Sequence, residues 1–318
     1  LYGAEDCIST PSGLSAITTA IFSVVKAGNH ALFPDSLYGS SRRFVLNVLP
    51  KFGIDVSFYP PRSNANISSF FKDKTSLLYL ESPGSLTFEV QDVPAMSAKA
   101  REAQVTTIID NTWGTALHYP VLDMGVDIVV EAATKYICGH SDTNLGIAAG
   151  NGVHGKALRT TAIMLGMCAG PEDLYLGVRG LRTMKLRLTQ SAENGLALAN
   201  AIEGHKNVVS VLHPGLSSSR DYDIFTRDFN GSCGLFGLVI NSEITQDNID
   251  EAVEAMQVFM IGDSWGGYES LIKQAHLTQK LRSISPELPE GHLIRLYTGL
   301  EHSDDQIADV LTMLDRMG

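Results

Sequence analysis

Ser12 stands before an apolar series, Leu14, Ile17, Ile21 and Val24, spaced by three and four, and Gly28 follows it. This predicts a helix with a cap at each end. Shorter apolar runs come next, at 31–33, 54–59 (with Ile54, Val56 and Phe58 alternating), 76–81, 105–110, 127–131 and 146–149. They are too short for helices and read as strands, and the stretches at 40–49 and 93–103 have helical spacing. Strand and helix in alternation predict a mainly parallel sheet covered on both faces, with any ligand at the carboxyl ends of the strands.

Around Gly180 the texture changes. Residues 181–203 read as one long helix, followed by runs at 208–212, 235–240, 258–261 and 293–297 and helices at 248–257 and 304–317. A large α/β domain over 1–181 and a smaller α+β domain over 182–318 follow, which suits 318 residues at about 150 per domain.

A net charge of −11 argues against a polyanion such as nucleic acid as partner, since neutralising phosphates needs a basic surface. One small anion could still sit at a helix start or on an arginine. The longest uncharged run, 7–25, contains Pro11 and seven Ser or Thr, unlike a bilayer-spanning helix, so no membrane is expected. Cys7, Cys138, Cys168 and Cys233 form no C-x-x-C pair, and the nine histidines show no metal-ligand spacing. A reducing cytosol is the expectation. The chain opens at Leu1 and enters a helical pattern almost at once, so further residues are expected upstream.

Asp110 closes the apolar run Val105-Thr-Thr-Ile-Ile and would be partly desolvated there, as a helix cap or as the partner of a cation. Lys135 also follows an apolar strand, either as a solvated surface lysine or as an amine whose lowered pKa makes it a nucleophile. Ser12-Gly13-Leu14 opens a helix whose free amides could receive a phosphate. Cradle, strand-end carboxylate and strand-end lysine are together the parts that pyridoxal phosphate needs. Gly150-Asn-Gly152-Val-His-Gly155 matches a dinucleotide fingerprint, but at the sixth strand candidate rather than the first, and reads as a glycine-rich turn.

The segments Glu131-Ala-Ala-Thr-Lys135-Tyr-Ile-Cys-Gly-His-Ser-Asp142, Leu80-Glu-Ser-Pro-Gly-Ser85 and Ile109-Asp-Asn-Thr-Trp113 resemble the Cys/Met-metabolism family of pyridoxal-phosphate enzymes. Ala-Ala-Thr-Lys and Asp263-Ser-Trp-Gly-Gly-Tyr-Glu-Ser-Leu271 are similar to its cystathionine β-lyase branch. The resemblance runs the length of the chain. It implies fold type I, a mainly parallel seven-stranded sheet between helices with the smaller α+β domain behind it. It further implies that Lys135 carries pyridoxal 5'-phosphate, Asp110 pairs with the ring nitrogen and Tyr38 stacks on the ring. Gly13, Leu14 and Thr134 would hold the phosphate, with Ala132 where many relatives have a serine. Arg295, with Ser264 and Trp265 beside it, would take the substrate α-carboxylate, although alone Arg295 reads as a strand residue in a surface ion pair.

The implied reaction is elimination of a thiolate from Cβ of an amino-acid thioether. For L-cystathionine the products are homocysteine, pyruvate and ammonia, a step of methionine biosynthesis. Lys135 would move the Cα proton, and Lys135 or Tyr38 would protonate the thiolate. A cystathionine or methionine γ-lyase of the same family is the alternative; Trp265 and Ser40 speak against it. A nucleotide-binding regulatory protein is the non-enzymatic one. The resemblance also implies a homotetramer of two dimers with shared active sites, completed by an N-terminal Tyr-x-Arg element. Tyr2 is followed by Gly3 and Ala4, so that element is expected upstream of Leu1.

Overall fold

The computed structural model describes residues 1–275, 282–284 and 290–318. One sheet has seven strands, β1 (Asp6–Thr10), β2 (His30–Pro34), β3 (Asp55–Tyr59), β4 (Thr75–Glu81), β5 (Thr106–Asp110), β6 (Ile128–Glu131) and β7 (Gly146–Gly150), in the order β1-β7-β6-β5-β4-β2-β3. From β3 to β6 the pairing is parallel; β7 runs antiparallel to β6 and to β1. Five further strands, β8 (Val208–Leu212), β9 (Leu235–Ile240), β10 (Met260–Ile261), β11 (Leu271–Ala275) and β12 (His292–Tyr297), form a second sheet in the order β10-β11-β12-β9-β8. The helices are α1 (Gly13–Val24), α2 (Gly39–Asn47), α3 (Val93–Glu102), α4 (Thr115–His118), α5 (Gly152–Met164), α6 (Pro171–Leu181), α7 (Met184–Ile202), α8 (Tyr222–Asp228), α9 (Gln246–Glu254) and α10 (Ser303–Arg316).

Successive strand residues go to opposite faces, and both faces of the large sheet are covered. Leu77, Ile108, Ile128 and Ala148 pack with Ile17 and Ile21 of α1, Val45 of α2 and Leu158 of α5. Their neighbours Leu78, Ile109, Val129 and Ala149 pack with Val93 and Met96 of α3 and Leu188 of α7, in a core that also takes Leu235 and Tyr297 of the second sheet. Each such side chain stabilises by roughly 1.5–3 kcal/mol, so a one-residue slip of register is excluded. The second sheet is covered on one face by α7, α9 and α10, through Leu198, Val253 and Val310 against Phe236, Ile272, Ile294 and Leu296.

Several sequence expectations need correction. α1 stops at Val24, because Val25 turns extended after its N–H reaches Ile21 O; Gly28 serves a later turn, at φ +87° with its N–H on Gly53 O. The long helix read over 181–203 is α7, over Met184–Ile202, and what the spacing did not announce is the separate α6 that ends at Leu181 just before it. Gly180 packs against the Cys138 backbone, and its carbonyl accepts from Arg187 Nη2 at 2.8 Å as well as from Thr183 N at 3.1 Å. β1, rich in Ser and Thr, and β11, with Lys273 and Gln274, lack the apolar alternation that would have announced them.

Candidate active site

Three carboxyls lie at the carboxyl ends of adjacent parallel strands: Glu81 on β4, Asp110 opposite it on β5, and Glu131 at the end of β6. Asp110 Oδ1 accepts from Thr112 N at 3.0 Å and Thr112 Oγ1 at 2.6 Å. Among the described residues no lysine or arginine bonds to Asp110, and its Oδ2 takes no hydrogen bond. Burial pushes its carboxyl up, against the pull of the two Thr112 bonds. Glu81 accepts from the amides of Tyr38 (2.9 Å) and Ser85 (3.1 Å). Glu131 accepts from the Tyr2 hydroxyl at 2.8 Å, which itself accepts from Asn111 Nδ2 at 2.9 Å. Burial, joined by the charge of Asp110, raises Glu81 and Glu131 to about 8, so both are largely protonated at neutral pH. Glu81 shares the face of Asp110, whereas Glu131 alternates to the other face with Asn111; the open Oδ2 of Asp110 is the complement of a protonated ring nitrogen.

Lys135 sits in a tight turn after β6. Its N–H reaches Ala132 O at 2.9 Å, and its own carbonyl accepts from Gly139 N at 2.7 Å. The buried Arg187 braces this turn, with Nη2 on the carbonyls of Tyr136 (2.9 Å) and Ile137 (3.4 Å) as well as Gly180. Lys135 Nζ donates to Ser264 Oγ at 2.8 Å and lies 5.1 Å from the centre of the Trp265 ring. Burial and then the charge of Arg295 push the Lys135 amine down to about 8. Arg295, on β12, donates through Nη2 to the carbonyls of Asp263 (2.9 Å) and Ser264 (3.3 Å). Its Nε and Nη1 have no hydrogen-bond partner among the described residues, so each can still donate to an anion.

The loop that carries Ser264 and Trp265 lies on the lysine itself. Gly266 has φ +84°, and a Cβ there would come within 2.9 Å of Lys135 Cα. Tyr38 is the N-cap of α2, is 45% exposed, and lies in the neighbourhood of Arg295.

At the start of α1 the Ser12 hydroxyl accepts from Ser15 N at 3.1 Å, while the amides of Gly13 and Leu14 have no acceptor among the described residues. A Cβ on Gly13 would fall 2.6 Å from Ala132 Cβ, so only glycine lets the helix start approach the turn before Lys135. The Thr134 hydroxyl donates to Leu145 O at 3.1 Å and accepts from Leu145 N at 2.8 Å. It closes the turn onto β7. Free amides, the open carboxylate and the depressed amine fit the phosphate, ring nitrogen and aldehyde of pyridoxal phosphate.

Lys135, Ser264, Trp265 and Arg295 thus form one cluster, with Tyr38 beside it and Asp110 and Gly13 at neighbouring strand and helix ends. Sequence reading missed Glu81 and Glu131 as flanks of Asp110, Tyr2 beneath them and Arg187 behind the lysine turn. The buried position of Glu131 at the end of Ile-Val-Val was the one available signal. The glycine fingerprint lies elsewhere. Since β7 is antiparallel, Gly150 and Gly152 face the opposite edge of the sheet, and Gly152 N donates to Glu5 Oε2 at 2.9 Å, a carboxylate where a phosphate would need to be. Among the described residues no helix is long and apolar enough to cross a membrane.

The family model for Cys/Met metabolism PLP-dependent enzymes matches residues 1–315. A putative cystathionine beta-lyase of Rhizobium johnstonii is 40% identical over 98% of this chain and 78% of its own length. The cystathionine beta-lyase MetC of Escherichia coli is 37% identical over 98% of this chain and 80% of its own. The crystal structure of a cystathionine gamma-lyase from Lactobacillus plantarum complexed with L-serine superposes with a TM-score of 0.93 at 27% identity, over 99% of this chain and 83% of that one. With the fold and the cleft both accounted for, the chain belongs to the Cys/Met metabolism family of pyridoxal-phosphate-dependent enzymes.

Proposed function

We propose that the chain is a carbon–sulfur lyase of the cystathionine β-lyase type, which cleaves L-cystathionine to homocysteine, pyruvate and ammonia. The observation that carries this reading is Lys135 Nζ, bound to Ser264 Oγ by the Trp265 ring, with the Arg295 guanidinium held by the carbonyls of the same loop. Relatives with cystathionine β-lyase in their names at 33–40% identity support it, against 31% for one named cystathionine gamma-lyase.

In this reading Gly13 and Leu14 hold the cofactor phosphate through their amides, and Thr134 braces the turn between them and the lysine. Tyr38 covers the ring. Asp110 Oδ2 would face the ring nitrogen and keep it protonated, for which Asp110 must be ionised. Bound in this way, pyridoxal phosphate supplies the electron sink that makes the substrate Cα proton acidic. Arg295 fixes the α-carboxylate, and Trp265 walls the site. Lys135 Nζ, nearly half neutral at pH 8, takes the Cα proton while Ser264 Oγ holds the amine in place. The Tyr38 phenol or the protonated Lys135 hands a proton to the departing thiolate.

The same proposal includes a large domain over 1–181, a small domain over 182–318 and a cytoplasmic location, which four free cysteines suit. It also includes a homotetramer with shared active sites. Exposed Ile163 and Met164 of α5 and Tyr175 and Val178 of α6 support a buried subunit contact.

Two measurements test the activity. Protein mixed with pyridoxal phosphate should gain a visible absorption band that Lys135→Ala removes; a colourless mixture would sink the reading. With L-cystathionine, pyruvate plus homocysteine is expected, whereas 2-oxobutyrate plus cysteine would make the enzyme a γ-lyase.

A further inference from the structure

β11 and β12 pair with Lys273 directly opposite Arg295. Alternation puts both side chains on the face of the small sheet away from Ile272, Ile294 and Leu296, which pack against the helices. Asp263 lies between the two cations. Its carboxylate bonds to Lys273 Nζ, and its Oδ1 is 3.9 Å from Arg295 Nη2. Arg295 is 13% exposed, Lys273 39% and Asp263 80%. An inner cation is therefore followed, toward the solvent, by a neutral ion pair. An ion pair so exposed contributes little to the fold, about 0–1 kcal/mol.

Resting on the β-lyase reading, we propose that Asp263 and Lys273 are the residues that recognise the amino-acid group on the leaving half of the substrate. With the proximal carboxylate on Arg295, the distal ammonium meets the Asp263 carboxylate and the distal carboxylate meets Lys273 Nζ. The pair opens to accept a group of matching opposite charges, so the rim stays neutral and no charge is left without a partner. A substrate with one amino-acid group leaves Asp263 and Lys273 closed on each other and gains nothing from them. The hydrogen bond from Lys273, with the charges of Lys273, Arg295 and Lys135, holds the Asp263 carboxyl below its usual range, so it is ionised at neutral pH.

The test is steady-state kinetics of the holoenzyme on L-cystathionine, L-cystine and S-methyl-L-cysteine, with pyruvate measured. In Lys273→Gln and in Asp263→Asn, kcat/KM for L-cystathionine relative to that for S-methyl-L-cysteine should fall about tenfold, mainly through KM, as expected for one screened charged hydrogen bond. L-Cystine should follow L-cystathionine. A change of local potential at Arg295 would move all three substrates together and leave the ratio in place, so a ratio within about twofold of wild type in both variants overturns the proposal. If the wild-type enzyme forms pyruvate from none of the three, the β-lyase reading itself falls, and this inference with it.

Discussion

Glu131 ends β6 with one carboxyl oxygen on the Tyr2 hydroxyl and the other buried without a partner. Its carboxyl is raised from an ordinary 4.5 to about 8 in the fold, chiefly by burial, so between those values the folded chain holds a proton that the unfolded chain has released. That contribution to stability is complete below about 4.5 and is lost as the pH rises to about 8, by up to about 1.4 kcal/mol per unit. Glu131→Gln removes the titrating group and keeps the acceptor for Tyr2. The thermal midpoint of the cofactor-free variant should therefore fall less between pH 5 and 8 than that of wild type; equal slopes would show that Glu131 is ionised in the fold. Lys135 and Asp110 stood out in the sequence as charges closing apolar runs; Glu81 and Glu131 close such runs as well, but their proximity to Asp110 arises from strand pairing across the sheet.

Among the elements, the sharpest constraint lies where α1 meets the turn before Lys135. Gly13→Ala would drive a methyl group to 2.6 Å from Ala132 Cβ and push the two free amides away from the phosphate position. Affinity for pyridoxal phosphate, read by fluorescence titration, should weaken about tenfold or more, and Gly13→Ala with Ala132→Gly should recover part of the loss. No recovery would mean that the amides are not the phosphate site. The caps of α1 illustrate what local pattern can and cannot decide. Ser12 was legible, because the N-cap is a matter of four consecutive residues. The far end was not, since Gly28 is engaged by Gly53 from another turn.

For the whole molecule, the apolar residues left exposed on α5 and α6 point to a partner surface. The mass in solution by light scattering should be that of a tetramer, and Met164→Glu with Val178→Glu should lower it. A monomeric wild type would remove the shared-site part of the proposal. The fold itself was largely legible. Apolar runs on β2, β4, β5 and β6 predict a mainly parallel sheet covered on both faces, and the strand order agrees.

By itself the sequence determined the alternation of strands and helices, the ends of the central strands and the residue types placed there, because these depend on neighbours within a few positions. Only the tertiary structure decided which charges share a site. It laid the Gly266 loop on Lys135, set Lys273 opposite Arg295 with Asp263 between them, and turned the glycine fingerprint to the far edge through one antiparallel strand. The physical reason is that desolvation and ion pairing depend on distances in space between residues remote in the chain, which local spacing does not encode.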